Sequence, residues 1–551
     1  MIDKNMLAWP LYGKGLENVG KNEKPSEVPI PEPNENELLV RIDAIGLCFS
    51  DIKLIRAGEE HPRVISEDLK TDPVIPGHEA VMTVVKVGEN LKEQYKNGQR
   101  FIIQADIYVN GKGFAYGYAI DGGMAQYSLI DSRVLDGDEG CYLLPLSDKT
   151  PSALAALVEP WTCVIASYMI EHRTDLKSGG KMLVVADSAK DYTFGNGNSR
   201  QSQPAKIDCI DLSDATLENL KKAFPDADFN ITDTTEAEYD DIAICGVCNS
   251  AKCEEMAVLA ARNGLISFVG DYPETLLFDV GNIHYTGWLY QGTETSDIAL
   301  AYGKNIRSEL KKDGCCWLAG GAGAMGQMHT QLAVEMPNGP SKILMTDMDN
   351  ERIKSVEKFL GSKIKEKGIE FLSLNPGDFD SVQDFNKAVK DFAPDGFDDI
   401  VMLVPVTNVL AGAGKEHSGK DCLMNIFAGI PAGKKAELSL RDIVESNVRY
   451  VGSSGSLTKH LKHTLSLVEE NKLSPASALA AIGGMHSLHE GLTGVAEARF
   501  PGKTVIFPNY DMPLTKIENI EDLRKGISET MKDGLYSLET EEKLLEVLEV
   551  L

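Results

Sequence analysis

Three short motifs place a thiol, an imidazole and a carboxylate in the order that an open zinc site uses. Cys48 lies in the segment 46–51, His78 stands between a glycine and Glu79, and Glu159 directly precedes a proline. Sulfur, nitrogen and oxygen donors of this kind bind zinc, and three of them leave a fourth position for water or substrate. The sequence therefore predicts one catalytic zinc held by Cys48, His78 and Glu159, with Glu79 binding directly or alternating with water.

Two residues beside Cys48 have supporting roles in this prediction. Asp51 can accept the second ring proton of His78 and thereby fix the tautomer of the imidazole. Ser50 can hydrogen-bond a substrate oxygen and pass its proton outward. A lone cysteine or histidine is more often an ordinary core residue, so the prediction depends on the ordered set of motifs.

A glycine-rich turn later in the chain favours a dinucleotide. It follows an apolar run and consists of Gly321, Ala322, Gly323, Ala324, Met325 and Gly326. Glycines leave the backbone N–H groups and the helix N-terminus open to a pyrophosphate. Asp347 ends the next predicted strand, 21 residues after Gly326 (347−326 = 21), where a carboxylate can bind the ribose hydroxyls. Because no Arg or Lys follows at once, NAD(H) is favoured over NADP(H). The alternative is a plain strand–helix turn.

The pattern of elements predicts an α/β protein with several domains. Residues 1–170 form a β-rich domain that is completed by about 476–520, and 521–551 form a helical tail. Strand–helix alternation predicts two tandem doubly wound nucleotide folds at 171–312 and 313–475. Three pairs of similar segments, in the same order, indicate an internal repeat. They are 239–242 with 397–400, 268–270 with 427–429, and 282–287 with 447–452. General likeness between nucleotide folds is the alternative explanation.

The first of these two copies is predicted to be degenerate. Asp187 ends its first strand where a phosphate would lie, and the later glycines Gly195 and Gly197 lack the required spacing. We therefore expect this copy to bind no dinucleotide and to act as an interface or as a lid. A different bound ligand remains the alternative.

Bulk composition excludes several classes of function. Lys and Arg number 55 against 83 Asp and Glu, so the formal net charge is −28, which repels nucleic acid and anionic lipid. Neither a signal peptide nor a membrane span is evident. Ten cysteines in 551 residues are read as reduced thiols, so we expect a cytoplasmic protein.

A local basic cluster contrasts with this acidic background. It consists of Lys53, Arg56, His61 and Arg63, close in sequence to Cys48. Guanidinium and ammonium groups can hold a phosphate, so the cluster is a candidate substrate site. A solvated loop with ordinary ion pairs is the alternative.

The zinc and glycine motifs resemble those of the zinc-dependent medium-chain dehydrogenases, the alcohol and polyol dehydrogenase group. The resemblance implies a GroES-like catalytic domain with Cys48, His78 and Glu159 as zinc ligands, Glu79 as a further ligand and Ser50 in a proton relay. Many relatives carry a four-cysteine structural zinc lobe, but this chain has only Cys141 in that region, so no structural zinc is expected. The extra nucleotide fold is a second departure.

Within that group the chain is similar to the L-sorbose-1-phosphate reductases, through segments 58–64, 99–104, 179–182 and 511–515. This resemblance implies hydride transfer between a nicotinamide and a polyol, sugar or sugar phosphate, and a homodimer or homotetramer. A threonine or simple alcohol dehydrogenase is the alternative enzyme. A non-catalytic nucleotide-sensing or assembly protein is the alternative from another class.

Overall fold

The computed structural model describes residues 4–195, 202–235 and 238–551, so the predicted Gly197 lies outside the described residues. The chain divides into two compact units. Unit 1 consists of Met1–Ala166 and Gly455–Leu551, and unit 2 of Ser167–Ser454.

The amino-terminal part of unit 1 consists of short strands and helices. Its strands are β1 (Asn5–Ala8), β2 (Ser26–Pro29), β3 (Leu38–Leu47), β4 (Glu79–Val87), β5 (Arg100–Ile103), β6 (Tyr108–Val109), β7 (Lys112–Gly113), β8 (Tyr127–Ile130) and β9 (Leu143–Pro145). Its helices are α1 (Phe49–Ala57), α2 (Ser132–Leu135), α3 (Ser152–Ala156) and α4 (Val158–Ala166). Strand β3 is buried along most of its length because β4, β8 and helix α3 all lie against it.

Unit 2 begins with the first nucleotide-fold copy. Its strands are β10 (Lys181–Ala186), β11 (Lys206–Ile210), β12 (Asp228–Ile231), β13 (Tyr239–Cys245), β14 (Ala260–Val269), β15 (Thr275–Asp279) and β16 (Leu289–Thr293). Its helices are α5 (Asp214–Ala223), α6 (Ser250–Ala257) and α7 (Val280–Thr286). Six strands form a parallel sheet in the order β12-β11-β10-β13-β14-β16.

The second copy follows with the same order of strands. They are β17 (Cys315–Ala319), β18 (Lys342–Thr346), β19 (Glu370–Leu374), β20 (Phe397–Met402), β21 (Ser418–Ile426), β22 (Lys435–Ser439) and β23 (Arg449–Val451). Its helices are α8 (Ala324–Glu335), α9 (Asn350–Lys367), α10 (Val382–Phe392), α11 (Thr407–His417) and α12 (Leu440–Val444). The parallel sheet runs β19-β18-β17-β20-β21-β23, the equivalent of the first sheet.

An equivalent ion-pair network, built around a buried aspartate, is present in both copies. In the first, the Arg173 guanidinium lies 2.7 Å from the Asp241 carboxylate, and Lys177 lies 2.6 Å from Asp240. In the second, the corresponding distances are 2.8 Å for Arg307 to Asp399 and 2.6 Å for Lys311 to Asp398. A general likeness between nucleotide folds does not require both copies to have the same ion pairs to the fourth strand, β13 in one copy and β20 in the other. The tandem α/β arrangement expected from the sequence is confirmed.

The chain then returns to unit 1. The returning elements are α13 (Thr458–Glu469), β24 (Leu479–Gly484), α14 (Leu488–Ala496), β25 (Lys503–Phe507), β26 (Tyr510–Asp511), β27 (Thr515–Lys516), α15 (Leu538–Leu545) and β28 (Glu549–Val550). They complete an eight-stranded sheet in the order β27-β24-β25-β3-β4-β5-β9, with β8 paired to β3. Its register sets Gly46 opposite Glu79 and Leu47 opposite Thr504, so three strand ends meet at one place.

Two boundaries differ from the expected ones. Unit 1 resumes at Gly455 rather than near 476, because helix α13 packs on helix α4. The segment expected as a separate tail belongs to unit 1, where the Glu541 carboxylate of α15 accepts hydrogen bonds from the amides of Ser152 and Ala153. In the part of the chain that the structure describes, no helix combines the length and hydropathy that a bilayer crossing needs.

One buried histidine makes the stability of unit 2 dependent on pH. His329 on α8 is fully buried, its Nδ1 lies 2.6 Å from the Tyr168 hydroxyl, and burial lowers its pKa to about 3. Between pH 6.5 and 3 the unfolded chain binds the extra proton, so we expect stability to fall as the pH falls, by about 1 kcal/mol per pH unit.

His329→Gln should flatten this dependence, which urea unfolding at several pH values between 7 and 4.5 will measure. His463→Gln on the exposed face of α13 is the matched control and should leave the slope unchanged. Equal slopes in the wild type and His329→Gln would contradict the assignment.

Candidate functional site

Cys48 lies where β3 ends and α1 begins. It is the residue that caps the helix, in an extended conformation, and its amide donates to Asp51 Oδ2 at 3.0 Å. A carboxylate in the first helical turn satisfies an N–H group that has no partner within the helix. The thiol is therefore fixed at the N-terminus of α1, beside the buried carboxylate of Asp51.

The same Asp51 also orients His78, which immediately precedes β4. Asp51 is fully buried, and its Oδ1 lies 2.9 Å from His78 Nδ1. Burial alone lowers the pKa of His78, but the Asp51 carboxylate outweighs burial and raises that pKa well above its ordinary value. When the imidazole is neutral, an N–H at Nδ1 directed to Asp51 leaves the Nε2 lone pair available to a metal.

Glu79 is the first residue of β4 and is fully buried. Its Oε1 lies 2.5 Å from the Lys503 ammonium, which is itself buried at the start of β25. Burial lowers the pKa of Lys503, but the nearby Cys48 and Glu79 outweigh it and raise that pKa. Gly46 lies opposite on β3, and any side chain there would collide with Oε2 of Glu79. The position of the Glu79 carboxylate therefore depends on the charge of Lys503 and on the absence of a side chain at Gly46.

The donor atoms of Cys48, His78 and Glu79 lie within 4.8 Å of one another. In the described ranges, this is the single group of three or more such side chains in which every pair is that close. Glu79 Oε2 is buried and has no hydrogen-bond partner. A buried carboxylate oxygen without a partner is costly, and a cation beside a thiol and an imidazole would satisfy it. The residues therefore fit a bound zinc ion.

Glu159 lies in the first turn of α4 and is outside this compact group. Removal from solvent raises the pKa of its carboxyl to about 7; the charge of His78 opposes this rise and that of Glu79 adds to it. Its Oε1 accepts a weak hydrogen bond from the Cys163 thiol, at 3.7 Å. The structure thus brings Glu79, and not Glu159, directly beside Cys48 and His78.

Lys503 is the residue that sequence reasoning missed. It stands 424 residues after Glu79, so no spacing rule connects the two. The sequence feature that could have pointed to Lys503 is its position at the start of a largely apolar strand, β25. A lysine in that position is ordinarily expected to extend into solvent. Only the pairing of β25 with β3 turns it inward.

Of the basic cluster, Lys53 and Arg56 are exposed on α1. The Arg63 guanidinium pairs with Asp106 at 2.5 Å and lies over the Tyr118 ring. Burial, with the charges of Arg63 and Lys53, lowers the pKa of His61 to about 4. The rings of His61 and His78 both contact Tyr118, with centroids 5.2 and 5.8 Å away. Tyr118 therefore connects the cluster to the metal-binding group.

The predicted nucleotide turn lies in unit 2 between β17 and α8. A side chain at Gly326 would collide with the Gly320 carbonyl, and one at Gly321 would lie 2.7 Å from Met345 Cγ. At Gly323, which caps α8, the nearest atom would be 3.6 Å away, so the space before the helix is open. Ala324 and Met325 form the first turn of α8. The first and last glycines serve close packing, and the middle one leaves room for a ligand.

Asp347 follows β18 at the same end of the sheet. Its Oδ2 accepts from the Ala322 amide at 3.2 Å, and its Oδ1 accepts from the Asp349 amide at 3.2 Å. The carboxylate is therefore tied to the glycine turn itself.

The first copy differs at the equivalent place. The described residues between β10 and β11 contain no helix. The buried Tyr192 instead covers the ends of β13 and β14, because its hydroxyl fills the space over Gly246 and its ring lies 3.2 Å from the Cβ position of Gly270. Hydrogen bonds from the Tyr192 amide to Thr216 and from Asn219 to the Tyr192 carbonyl hold this segment.

The buried pair of Lys503 and Glu79 gives a testable prediction. Lys503→Met leaves the Glu79 carboxylate buried without a cation, so we expect a loss of about 3–5 kcal/mol in the free energy of unfolding. Urea unfolding of metal-free protein measures this loss. The double variant Glu79→Gln/Lys503→Met should recover most of it.

Lys516→Met is the matched control, because Lys516 pairs with Glu518 at the surface and should contribute less than about 1 kcal/mol. A Lys503 effect no larger than that of the control would show that the buried pair does not form.

Comparison with known proteins shows which proteins this chain is similar to. Residues 34–135 match the alcohol dehydrogenase GroES-like domain family. The chain is 24% identical to mannitol-1-phosphate 5-dehydrogenase of Aliivibrio fischeri, over 90% of this chain and 86% of that protein. It is 21% identical to L-sorbose 1-phosphate reductase of Klebsiella pneumoniae, over 94% of this chain and 93% of that protein.

Among solved structures, 2R,3R-butanediol dehydrogenase from Bacillus subtilis aligns with a TM-score of 0.51 at 16% identity, covering 92% of this chain and all (100%) of that one. This likeness supports the fold alone. The matched domain and the curated relatives that cover most of the chain fit the medium-chain dehydrogenase/reductase superfamily and support an oxidoreductase similar to the zinc-type alcohol and polyol dehydrogenases.

Proposed function

We propose that the protein transfers hydride between NAD(H) and a secondary alcohol or ketone of a polyol or sugar phosphate. The observation that carries the proposal is the compact group of Cys48, His78 and Glu79, with a buried carboxylate oxygen that has no partner. A sulfur, a nitrogen and an oxygen donor together suit zinc.

In this proposal one zinc ion is held by Cys48 and His78 together with two carboxylates. Glu79, which lies in the compact group, binds directly or alternates with water, and Glu159, whose carboxyl is influenced by the charges of His78 and Glu79, is the other predicted ligand. When bound, zinc supplies a Lewis acid that stabilises negative charge on the reacting oxygen. Asp51 holds the His78 ring so that Nε2 faces the metal. Lys503 balances the charge of Glu79 and limits the net negative charge around the site.

Ser50 has the role of moving a proton. It lies in the first turn of α1, two residues after Cys48, and is partly exposed. A hydroxyl in that position can accept the proton of the substrate alcohol and pass it to solvent.

The nicotinamide cofactor is assigned to the second copy alone. The turn containing Gly321, Gly323 and Gly326 would hold the pyrophosphate at the start of α8, and Asp347 would bind the ribose hydroxyls. A carboxylate there repels a 2′-phosphate, which favours NAD(H) over NADP(H). The free thiols at all ten cysteines support a reducing, cytoplasmic location.

For the substrate, we propose that the phosphate of a sugar phosphate binds at the basic cluster of Lys53, Arg56, His61 and Arg63. Two relatives that match most of the chain are named for phosphorylated substrates. Asp106 already neutralises part of the Arg63 charge, and the lowered pKa of His61, about 4, makes its ring largely uncharged at neutral pH. Lys53, Arg56 and the remaining N–H groups of Arg63 therefore supply the positive charge, and His61 supplies a hydrogen bond.

The zinc assignment is tested with Cys48→Ser. We expect the zinc content to fall from about one per chain toward zero and turnover to fall at least about 1,000-fold, since the Lewis acid is lost. NADH affinity, measured by fluorescence titration, should change less than about twofold because the turn in unit 2 is untouched. Running the assay with both NADH and NADPH tests the cofactor preference.

Cys141→Ser is the matched control, because this thiol contacts Tyr95 and belongs to no donor group in the described residues. Zinc retention and normal turnover in Cys48→Ser would refute the site.

The substrate assignment is tested with a panel of polyols, their phosphates and amino alcohols. Lys53→Gln and Arg63→Gln should each raise KM for the phosphorylated substrate about 10- to 100-fold, corresponding to about 1.5–3 kcal/mol for a hydrogen bond to a charged group. KM for the dephosphorylated form should change much less. Lys70→Gln at an exposed loop is the control. Equal effects on both substrates would reject the phosphate site, and activity on threonine or simple alcohols alone would favour the alternative enzyme.

A further inference from the structure

The two nucleotide-fold copies of unit 2 meet through equivalent elements. In each copy a five-residue strand leads directly into a short helix, β15 into α7 and β22 into α12. Asp279 and Ser439 end these strands and cap the following helices through their side chains. Ser439 stands 160 residues after Asp279, and this offset relates the two segments independently of their contacts.

Strands β15 and β22 pair with each other, antiparallel, in a symmetric register. Thr275 lies opposite Ser439, and Asp279 lies opposite Lys435. Because equivalent residues are 160 positions apart, Thr275 corresponds to Lys435 and Asp279 corresponds to Ser439. Exchanging the two copies therefore converts the first of these pairs into the second. The central pair, Leu277 and Glu437, converts into itself. An interface in which residue i contacts j and the equivalent of j contacts the equivalent of i is the signature of two-fold symmetry.

The surrounding contacts obey the same symmetry. The Val280 amide donates to the Lys434 carbonyl at 3.1 Å, and its equivalent, the Leu440 amide, donates to the Glu274 carbonyl at 2.9 Å. Helix α7 contacts β23 in the other copy, and helix α12 contacts β16. These reciprocal pairs indicate an interface of the kind that joins identical subunits, here formed within one chain.

This interface is closed and apolar. One hydrophobic core contains Phe278, Val280 and Ile283 of the first copy together with Leu438, Leu440 and Ile443 of the second. The last strands of the two sheets, β16 and β23, contact each other and are buried along their whole length. An edge strand that is covered in this way does not expose backbone N–H and C=O groups with which the strand of a second chain could pair.

Among its described residues, the first copy also shows no open nucleotide turn. Tyr192 covers the ends of β13 and β14, and the described residues after β10 form no helix there. Its sheet nevertheless keeps all six strands and the Arg173–Asp241 pair. The first copy therefore retains the sheet on which the interface elements β15 and α7 are carried, without an open nucleotide turn in its described residues.

We propose that the first nucleotide-fold copy is an internal partner subunit, which occupies the two-fold face of the second copy within the same chain. The chain therefore does not associate with another copy of itself through this face. Any homodimer or homotetramer, as expected from the resemblance, must use a different surface. The proposal does not depend on the substrate or the cofactor.

The test uses the full chain carrying Leu277→Cys and Glu437→Cys, since both positions are exposed and lie opposite each other. Mild oxidation, or a short bis-maleimide where disulfide geometry is unfavourable, should join the two cysteines within one chain. Non-reducing electrophoresis and intact mass should show a product of monomer mass. Each single variant is a control for reaction with the exposed native Cys248.

The solution mass of the bridged protein, measured by light scattering over a 100-fold dilution, should equal that of the wild type at each concentration. Products linking two chains would overturn the proposal, and so would a bridged protein of lower mass than the wild type. Failure of both reagents to join the pair would show that the strands are not paired in solution, which also overturns it. Loss of the dehydrogenase activity has no bearing on these readouts.

Discussion

The Asp51 carboxylate accepts a hydrogen bond from the Cys48 amide and lies 2.9 Å from the His78 ring, and it is fully buried. A buried charge must be paired, so this one group dictates where a strand end, a helix start and a loop can lie. The thiol and the imidazole become neighbours as a consequence. The reactive geometry of unit 1 thus follows from the need to satisfy one carboxylate.

The same constraint operates on the other side of the site. Glu79 would be an uncompensated charge without Lys503, and its second oxygen lacks a hydrogen-bond partner. Gly46 provides the space in which that oxygen lies. A buried carboxylate oxygen without a partner lowers the stability of the fold unless a cation binds to it. Such a loss of stability is common at functional sites. The acidic groups around Cys48 and the single buried ammonium together set the charge that a zinc ion would meet.

Unit 2 shows how one fold can be kept for two different reasons. Both copies have the parallel sheet and an arginine that pairs with a buried aspartate of the fourth strand. The second copy keeps the glycine turn and helix α8, which suit a ligand. In the first copy Tyr192 covers the same end of the sheet. Packing and ligand binding therefore depend on separate residues, and a fold by itself does not specify a function.

By itself, the sequence determined the class of fold, the internal repeat and the order of the zinc and glycine motifs, because these depend on local periodicity and on residues close in the chain. Asp51 beside Cys48 was predictable for the same reason, since a helix places these residues in one turn. The tertiary structure alone decided that Lys503 faces Glu79, that Arg63 pairs with Asp106, and that Glu79 rather than Glu159 joins the compact group. It also decided that β15 pairs with β22. These contacts join segments tens to hundreds of residues apart, and they follow from strand pairing and burial, which no spacing rule encodes.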